Sequence, residues 1–293
     1  VPALRQAVAT KIEALHARPY CANSEITITA GATQAILTAI LACVQPGDEV
    51  IVPALSYAST GHAVVHAGFR PVFIDIDPET LNIDVSRIEA AITPRTRAIM
   101  PVHLMGKPAE MDTINAIAKR HGLVVVEDAA EAWGTWYKGK PAGRLADIAA
   151  FSLYVAHIIT SGDGGMITTD REDYAEVIRS LRVHGRACTC KKCVSTITGG
   201  QCAKRFMDPE TGDRRFHFNR IGYSARMNDL EAALGLGSAE RYAEIIDIRY
   251  RNLKDMMSGF KEFEEFFWTF TEEEHEKIGP QGFPFVLKPE TPF

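Results

Sequence analysis

The sequence predicts an α/β protein with a mostly parallel central sheet, and three observations predict it. Strand-like and helix-like segments alternate from about residue 26 to residue 170, the pattern of parallel strands joined by crossover helices. Turn or helix-stop pairs, Pro46-Gly47 and His121-Gly122, fall between those segments. At 293 residues, 46% hydrophobic and 24% charged, the chain has the mass for one large domain and part of another.

Taken in order, a helical pattern is established by Leu4, and residues 26–29 read as a strand followed by a helix over 33–44. The strand pattern returns at 49–52 and is followed by a helix over 57–67. Strands at 71–74 and 98–102, a helix over 111–121 and a strand at 123–127 continue the alternation. Substrate and cofactor groups are then expected at the carboxyl ends of the strands. Residues 228–257 predict one long helix that links a large domain, 1–237, to the start of a smaller one, 238–293. Residues 283–288 read as a strand, and both ends of the chain read as cut, so the expectation is a fragment.

The net charge of −5 argues against a protein that neutralises many nucleic-acid phosphates and leaves room for a small anion such as a nucleotide diphosphate. The most apolar stretches, 35–44 and 123–126, are far shorter than the roughly 20 residues that a spanning helix needs. No signal peptide is visible, and the composition is that expected of a cytoplasmic protein without a membrane partner.

Gly31-Ala32-Thr33-Gln34 lies between a strand and a helix, where backbone N–H groups and a hydroxyl can hold a phosphate; small residues there also serve as plain caps. Glu127-Asp128-Ala129-Ala130-Glu131 follows the apolar strand, which puts the Asp128 carboxylate at a strand end. His157 stands in Phe151-Ser152-Leu153-Tyr154-Val155-Ala156-His157, ahead of Gly162-Asp163-Gly164-Gly165. An imidazole there can move protons but cannot form a lasting Schiff base. Four of the six cysteines, Cys188, Cys190, Cys193 and Cys202, crowd into the loop 186–206, where in a reducing compartment metal binding is favoured over disulfides. Zinc and an iron-sulfur cluster both accept four thiolates, so spacing does not choose between them. Cys21 and Cys43 are expected to be buried as small apolar residues.

These segments, in this order over residues 25–250, resemble the DegT/DnrJ/EryC1/StrS family of fold-type I, pyridoxal phosphate-dependent sugar aminotransferases. The resemblance implies a fold-type I large domain in which Ala32, Thr33 and Ser152 hold the cofactor phosphate and Tyr57 stacks on its ring. It also implies that Asp128 pairs with the pyridinium nitrogen and keeps the ring an electron sink. His157 stands where the family has its cofactor lysine, and Glu131 where the aminotransferases have Gln or His. Both departures resemble the branch of 3-dehydratases that act on nucleotide-linked 4-keto-6-deoxyhexoses with pyridoxamine phosphate held without a covalent bond. In that branch the histidine is the base at the cofactor's methylene carbon.

The cysteine loop resembles the cluster segment of the iron-sulfur 3-dehydrases, which implies a [2Fe-2S] centre on Cys188, Cys190, Cys193 and Cys202 and a reductase partner. Those enzymes take a further cysteine from the segment matching Asp128-Ala129-Ala130-Glu131, where Ala129 and Ala130 offer none, and Cys193 within the loop stands in for that ligand. Gly222-Tyr223-Ser224-Ala225-Arg226 resembles the family's Gly-x-Asn-x-Arg segment, which implies a homodimer and offers Arg226 to a substrate or cofactor phosphate. Two rival readings remain: a divergent aminotransferase using another lysine, with Lys138 and Lys140 the nearest in sequence, and a non-catalytic, zinc-stabilised member of the family.

Overall fold

Strands that are apolar throughout need cover on both faces, and this is what the chain builds. In the computed structural model, residues 1–16, 19–45, 47–188, 190, 193–194, 200–206 and 212–291 are described. The chain opens with helix α1 (Pro2–His16), strand β1 (Ile26–Thr29), α2 (Ala32–Leu41), β2 (Glu49–Pro53), α3 (Ser59–His66) and β3 (Arg70–Ile74). Next come α4 (Ile88–Ala91), β4 (Thr96–Ile99), α5 (Met111–His121), β5 (Val124–Asp128) and the short hairpin β6 (Trp136–Tyr137) and β7 (Lys140–Pro141). β8 (Ile148–Ser152), β9 (Gly165–Thr168) and α6 (Glu172–Leu181) complete the alternating part. The C-terminal part carries α7 (Asp229–Glu240), α8 (Tyr242–Phe260), β10 (Phe267–Thr269), β11 (Glu276–Lys277) and β12 (Phe285–Leu287).

The main sheet has seven strands in the order β1-β9-β8-β5-β4-β2-β3. The pairs β2–β3, β2–β4, β4–β5 and β5–β8 are parallel, and β8–β9 and β1–β9 are antiparallel. All residues of β1, β2, β8 and β9 are buried, because α2 covers β8 and β9 while α1, packed on α7, closes over β1. Ile28, Ile51, Ile99 and Ile148 are almost wholly removed from water, each worth about 1.5–3 kcal/mol relative to exposure. α5 ends as expected at Gly122, which adopts a left-handed φ of 65°, and Lys119, Arg120 and His121 face the negative end of its dipole.

The C-terminal part departs from the predicted single helix. α7 starts on a capping box between Asn228 and Glu231 and runs through residue 237, the expected domain boundary. The interruption comes at Arg241, which ends α7 and precedes α8. The expected strand over 283–288 appears as β12, paired with β10, while β11 pairs with β6 and so ties the C-terminal segment back to the first part of the chain. Of the turn pair at 46–47, Pro46 lies outside the described residues, and Gly47 has a left-handed φ of 89°.

Candidate active site

The site grows from one row across the sheet. Thr29 at the end of β1 pairs with Gly165, and Gly165 pairs with Ser152 at the end of β8. β1 leads directly into α2, whose cap Gly31 offers no side chain to the first-turn amides. Those N–H groups, at Ala32 and Thr33, form a positive helix terminus on the same sheet edge as the buried Ser152. The Ser152 hydroxyl accepts from the Tyr154 N–H at 3.1 Å and keeps its own hydrogen to donate. Gly165 is required here: a Cβ would lie 2.4 Å from the Gly31 carbonyl oxygen. Ala32, Thr33 and Ser152 are thus brought together at one sheet edge, an arrangement that has the donors of an anion cradle.

Asp128 ends β5, opposite Ala150 of β8, and its carboxylate is buried. One oxygen accepts from the Thr60 hydroxyl at 2.8 Å and the other from the Ala130 N–H at 3.2 Å. Thr60 lies 2.6 Å from Ser56, so with Thr60 donating to Asp128 the Ser56 hydroxyl supplies the hydrogen between the two. Burial raises the carboxyl pKa, against the donors Thr60 and Ala130 and the nearby His103. A cationic ring nitrogen would relieve that burial cost, so the residue fits a pyridinium partner.

Behind Asp128 lies a pair that the sequence reading missed. His103 and Glu127 are both 0% exposed and meet at 3.1 Å. His103 Nδ1 accepts from the Ala109 N–H, which leaves Nε2 to donate to Glu127. Glu127 also accepts the N–H groups of Gly143, Leu145 and Ala146, so every lone pair facing inward has a donor. The His103 backbone N–H donates to the Asp128 backbone carbonyl at 3.1 Å. A signal did exist: in a strand buried on both faces, adjacent Glu127 and Asp128 point to opposite sides and each must find partners.

Glu131 accepts from the Met105 N–H at 2.6 Å, at a residue held in the left-handed region with φ 52°. Burial raises the Glu131 pKa and the Asp128 charge raises it further, which places the two carboxyls within electrical reach. His157 occupies the loop between β8 and β9, closed by the bonds Leu153 N–H to Gly164 O and Ser161 N–H to Leu153 O, both 2.9 Å. Its ring sits edge-on to Tyr154 at 6.2 Å, and its Nδ1 is buried without a hydrogen-bond partner among the described residues. Burial lowers the imidazole pKa, the Gln281 side chain opposes the shift and the Arg249 charge adds to it. The ring is therefore biased toward the neutral form, as a base requires.

Tyr57 is not a core residue: it is 79% exposed, with its ring free to stack at the start of α3. Arg226 is exposed, and the Ala225 carbonyl beside it accepts from the Ala30 N–H, next to the anion cradle. Helix terminus, hydroxyl, buried carboxylate and open aromatic ring together fit a pyridoxal-type phosphate cofactor. Lys138 and Lys140 lie on the β6–β7 hairpin of a separate small sheet, where the Lys138 ammonium is paired with Asp112 at the surface.

The cysteines depart from expectation. Cys188 and Cys202 are half-buried and Cys190 and Cys193 exposed. Burial raises the Cys188 pKa, and Cys190, Cys202 and Cys193 add to the rise, so the sulfurs feel one another. Yet among the described residues no three or more Cys, His, Asp or Glu side chains are disposed to hold a metal ion. The expected [2Fe-2S] or zinc site does not fit this arrangement, in which two of the four sulfurs face solvent. Cys21, expected to be buried, is exposed, while burial pushes the Cys43 thiol up to about 12.

Residues 9–291 match the sequence model of the DegT/DnrJ/EryC1/StrS aminotransferase family. The GDP-perosamine synthase of Caulobacter vibrioides is 42% identical over 233 residues, 79% of this chain and 56% of that protein. The dTDP-4-dehydro-2,6-dideoxy-D-glucose 3-dehydratase of Saccharopolyspora spinosa is 39% identical over 220 residues, 73% of this chain and 47% of that protein. The chain therefore spans about half the length of these relatives. Among solved structures, E. coli GDP-4-keto-6-deoxy-D-mannose-3-dehydratase with bound hydrated PLP superposes with a TM-score of 0.80 at 26% identity, covering 99% of this chain and 72% of that one.

Proposed function

The chain belongs to the DegT/DnrJ/EryC1/StrS aminotransferase family, and on that premise we propose that it serves a pyridoxamine phosphate-dependent C3 dehydration of a nucleotide-linked 4-keto-6-deoxyhexose. The observation that carries this reading is His157, on the closed loop between Ser152 and Gly165, with a buried ring nitrogen unpartnered among the described residues and a lowered pKa. Bound in its amine form, the cofactor would supply the nitrogen that condenses with the sugar's C4 carbonyl, releasing one water, and the electron pair that displaces the C3 hydroxyl, and an amino donor would afterwards return it to that form. Ala32, Thr33 and Ser152 hold the phosphate, Tyr57 covers the ring, and Asp128 keeps the ring nitrogen protonated. His157 takes the proton from the methylene carbon, and its conjugate acid returns a proton to the departing hydroxyl, so water leaves. Glu131, within electrical reach of Asp128, adds a second carboxyl to the site, and Arg226 takes an anionic group of the substrate or cofactor.

The dehydration as written takes its electron pair from the amine-form cofactor, so none of its steps is routed through an electron relay or a reductase. A homodimer belongs to the proposal: Phe216, Phe218, Ile221, Leu230 and Leu234 flank Arg226 with exposed apolar surface, Ile221 at 92%. In this proposal residues 1–237 are kept as a large cofactor-binding unit and 238–293 as a smaller one. The second reading, a sugar aminotransferase, is favoured by the 42% identical perosamine synthase and needs a lysine at the cofactor, a place that neither Lys138 nor Lys140 takes.

His157→Lys tests the register. The variant is expected to retain pyridoxal phosphate covalently after borohydride reduction and to lose dehydration. Unchanged activity without covalent retention would overturn the assignment.

A further inference from the structure

We propose that Gln281, carried in from the C-terminal part of the chain and locked there by Arg249, is a positioning residue that sets the ring orientation and tautomer of His157. The inference rests on the reading of His157 as the base.

Three anchors bring Gln281 to the ring. Gly279 docks on the first part of the chain, where its N–H reaches the Gly106 carbonyl at 2.9 Å and Thr135 Oγ1 at 3.1 Å. The approach is so close that a Cβ on Gly106 would lie 1.9 Å from the Gly279 carbonyl oxygen. From α8, Arg249 donates to the consecutive carbonyls of Pro280, at 2.9 Å, and Gln281, at 2.8 Å. The Gln281 side chain then donates through Nε2 to the carbonyl of Ala156, the residue before His157, at 3.1 Å.

One Nε2 hydrogen is committed to Ala156, and the amide oxygen is the buried atom of the side chain that this bond leaves unsatisfied. Among the described residues, Gln281 Oε1 and His157 Nδ1 are both buried and neither makes a hydrogen bond of full geometry. Each is the complement of the other: an Nδ1–H donated to Oε1 satisfies both groups and leaves the Nε2 lone pair for proton abstraction. The other groups that face the ring are the Tyr154 ring from its own loop and the Arg249 guanidinium from α8. No carboxylate is among the groups that shift its pKa, so the neutral amide acts without adding charge. The C-terminal segment thereby completes the base rather than only covering it.

The test uses Gln281→Ala and Gln281→Glu, which leave the backbone carbonyls held by Arg249 in place. Ring nitrogen shifts and the titration of His157 are read by NMR on protein labelled at histidine, with His157→Gln used to assign the signal among the nine histidines. Gln281→Glu is expected to raise the His157 pKa by about one unit or more, as an adjacent carboxylate does, and to move the acid limb of the pH–rate profile with it. Gln281→Ala is expected to mix the ring tautomers and lower kcat about tenfold or more with KM little changed. Ring shifts and titration unchanged in both variants would overturn the proposal, even if activity falls. A shifted titration with an unmoved rate profile would uphold the pairing and sink the base reading instead. If Gln281→Ala does not fold, Gln281→Glu alone carries the decision.

Discussion

Asp128→Asn should stabilise the cofactor-free protein near neutral pH while disabling it. The wild-type carboxylate is fully enclosed and accepts two hydrogen bonds from neutral donors, Thr60 and Ala130. Two neutral donors do not replace the hydration of a full charge, which is why burial raises its pKa. An asparagine fits the same partners: its oxygen accepts from Ala130, and its amide donates to Thr60, whose hydroxyl can turn to donate to Ser56 at 2.6 Å. The substitution thus keeps the bonds and removes the charge. The gain is of the order of 1–3 kcal/mol, the usual cost of an under-satisfied buried polar group. The sign follows from linkage: a carboxyl with a raised folded pKa adds most stability below the ordinary aspartate range and loses it as pH rises through the raised value. Urea unfolding of both apoproteins should show Asp128→Asn ahead near neutrality, with the gap closing as pH falls and the wild-type carboxyl takes up its proton. Without a carboxylate to hold the ring nitrogen protonated, turnover should fall on the order of 10²–10³-fold. A variant less stable than wild type throughout that pH range would refute the reasoning and show that His103 and the hydroxyl chain more than compensate the charge.

Gly106→Ala should cost about 2–4 kcal/mol in urea unfolding and move the His157 NMR signals, because the new methyl meets the Gly279 carbonyl and the residue has a φ of 86°. Alkylation followed by mass spectrometry should modify Cys21 first, since it is exposed and the Ser24 hydroxyl lowers its pKa, and Cys43 last, with its thiol pushed up to about 12. Equal rates at Cys21 and Cys43 in the folded protein would contradict that order.

The parallel half of the fold is legible in the sequence because each strand is a short apolar run closed by a helix signal. α5 and Gly122 are the clearest instance, and Asp128 at the end of β5 another. The break at Arg241 is not legible, since both flanking segments carry helical patterns and neither Gly nor Pro marks the join. Likewise the set proposed to face the cofactor, Ala32, Thr33, Tyr57, Asp128 and Ser152, lies in local segments that a resemblance can find. Its supports do not. Thr60 meets Asp128 across 68 residues and Gln281 meets Ala156 across 125, and no local spacing encodes either. The cysteines show the converse: among the described residues, a tight spacing in sequence is not matched by a group of three or more side chains disposed to hold a metal ion.

The central claim is that His157 removes the proton from the cofactor's methylene carbon. Pyridoxamine phosphate carrying deuterium at that carbon, incubated with wild-type protein and nucleotide-linked 4-keto-6-deoxyhexoses, should release deuterium to water in step with formation of the 3-deoxygenated sugar. His157→Gln should bind the cofactor comparably and release deuterium about 10²-fold more slowly or less. Equal release by the two proteins would contradict the account.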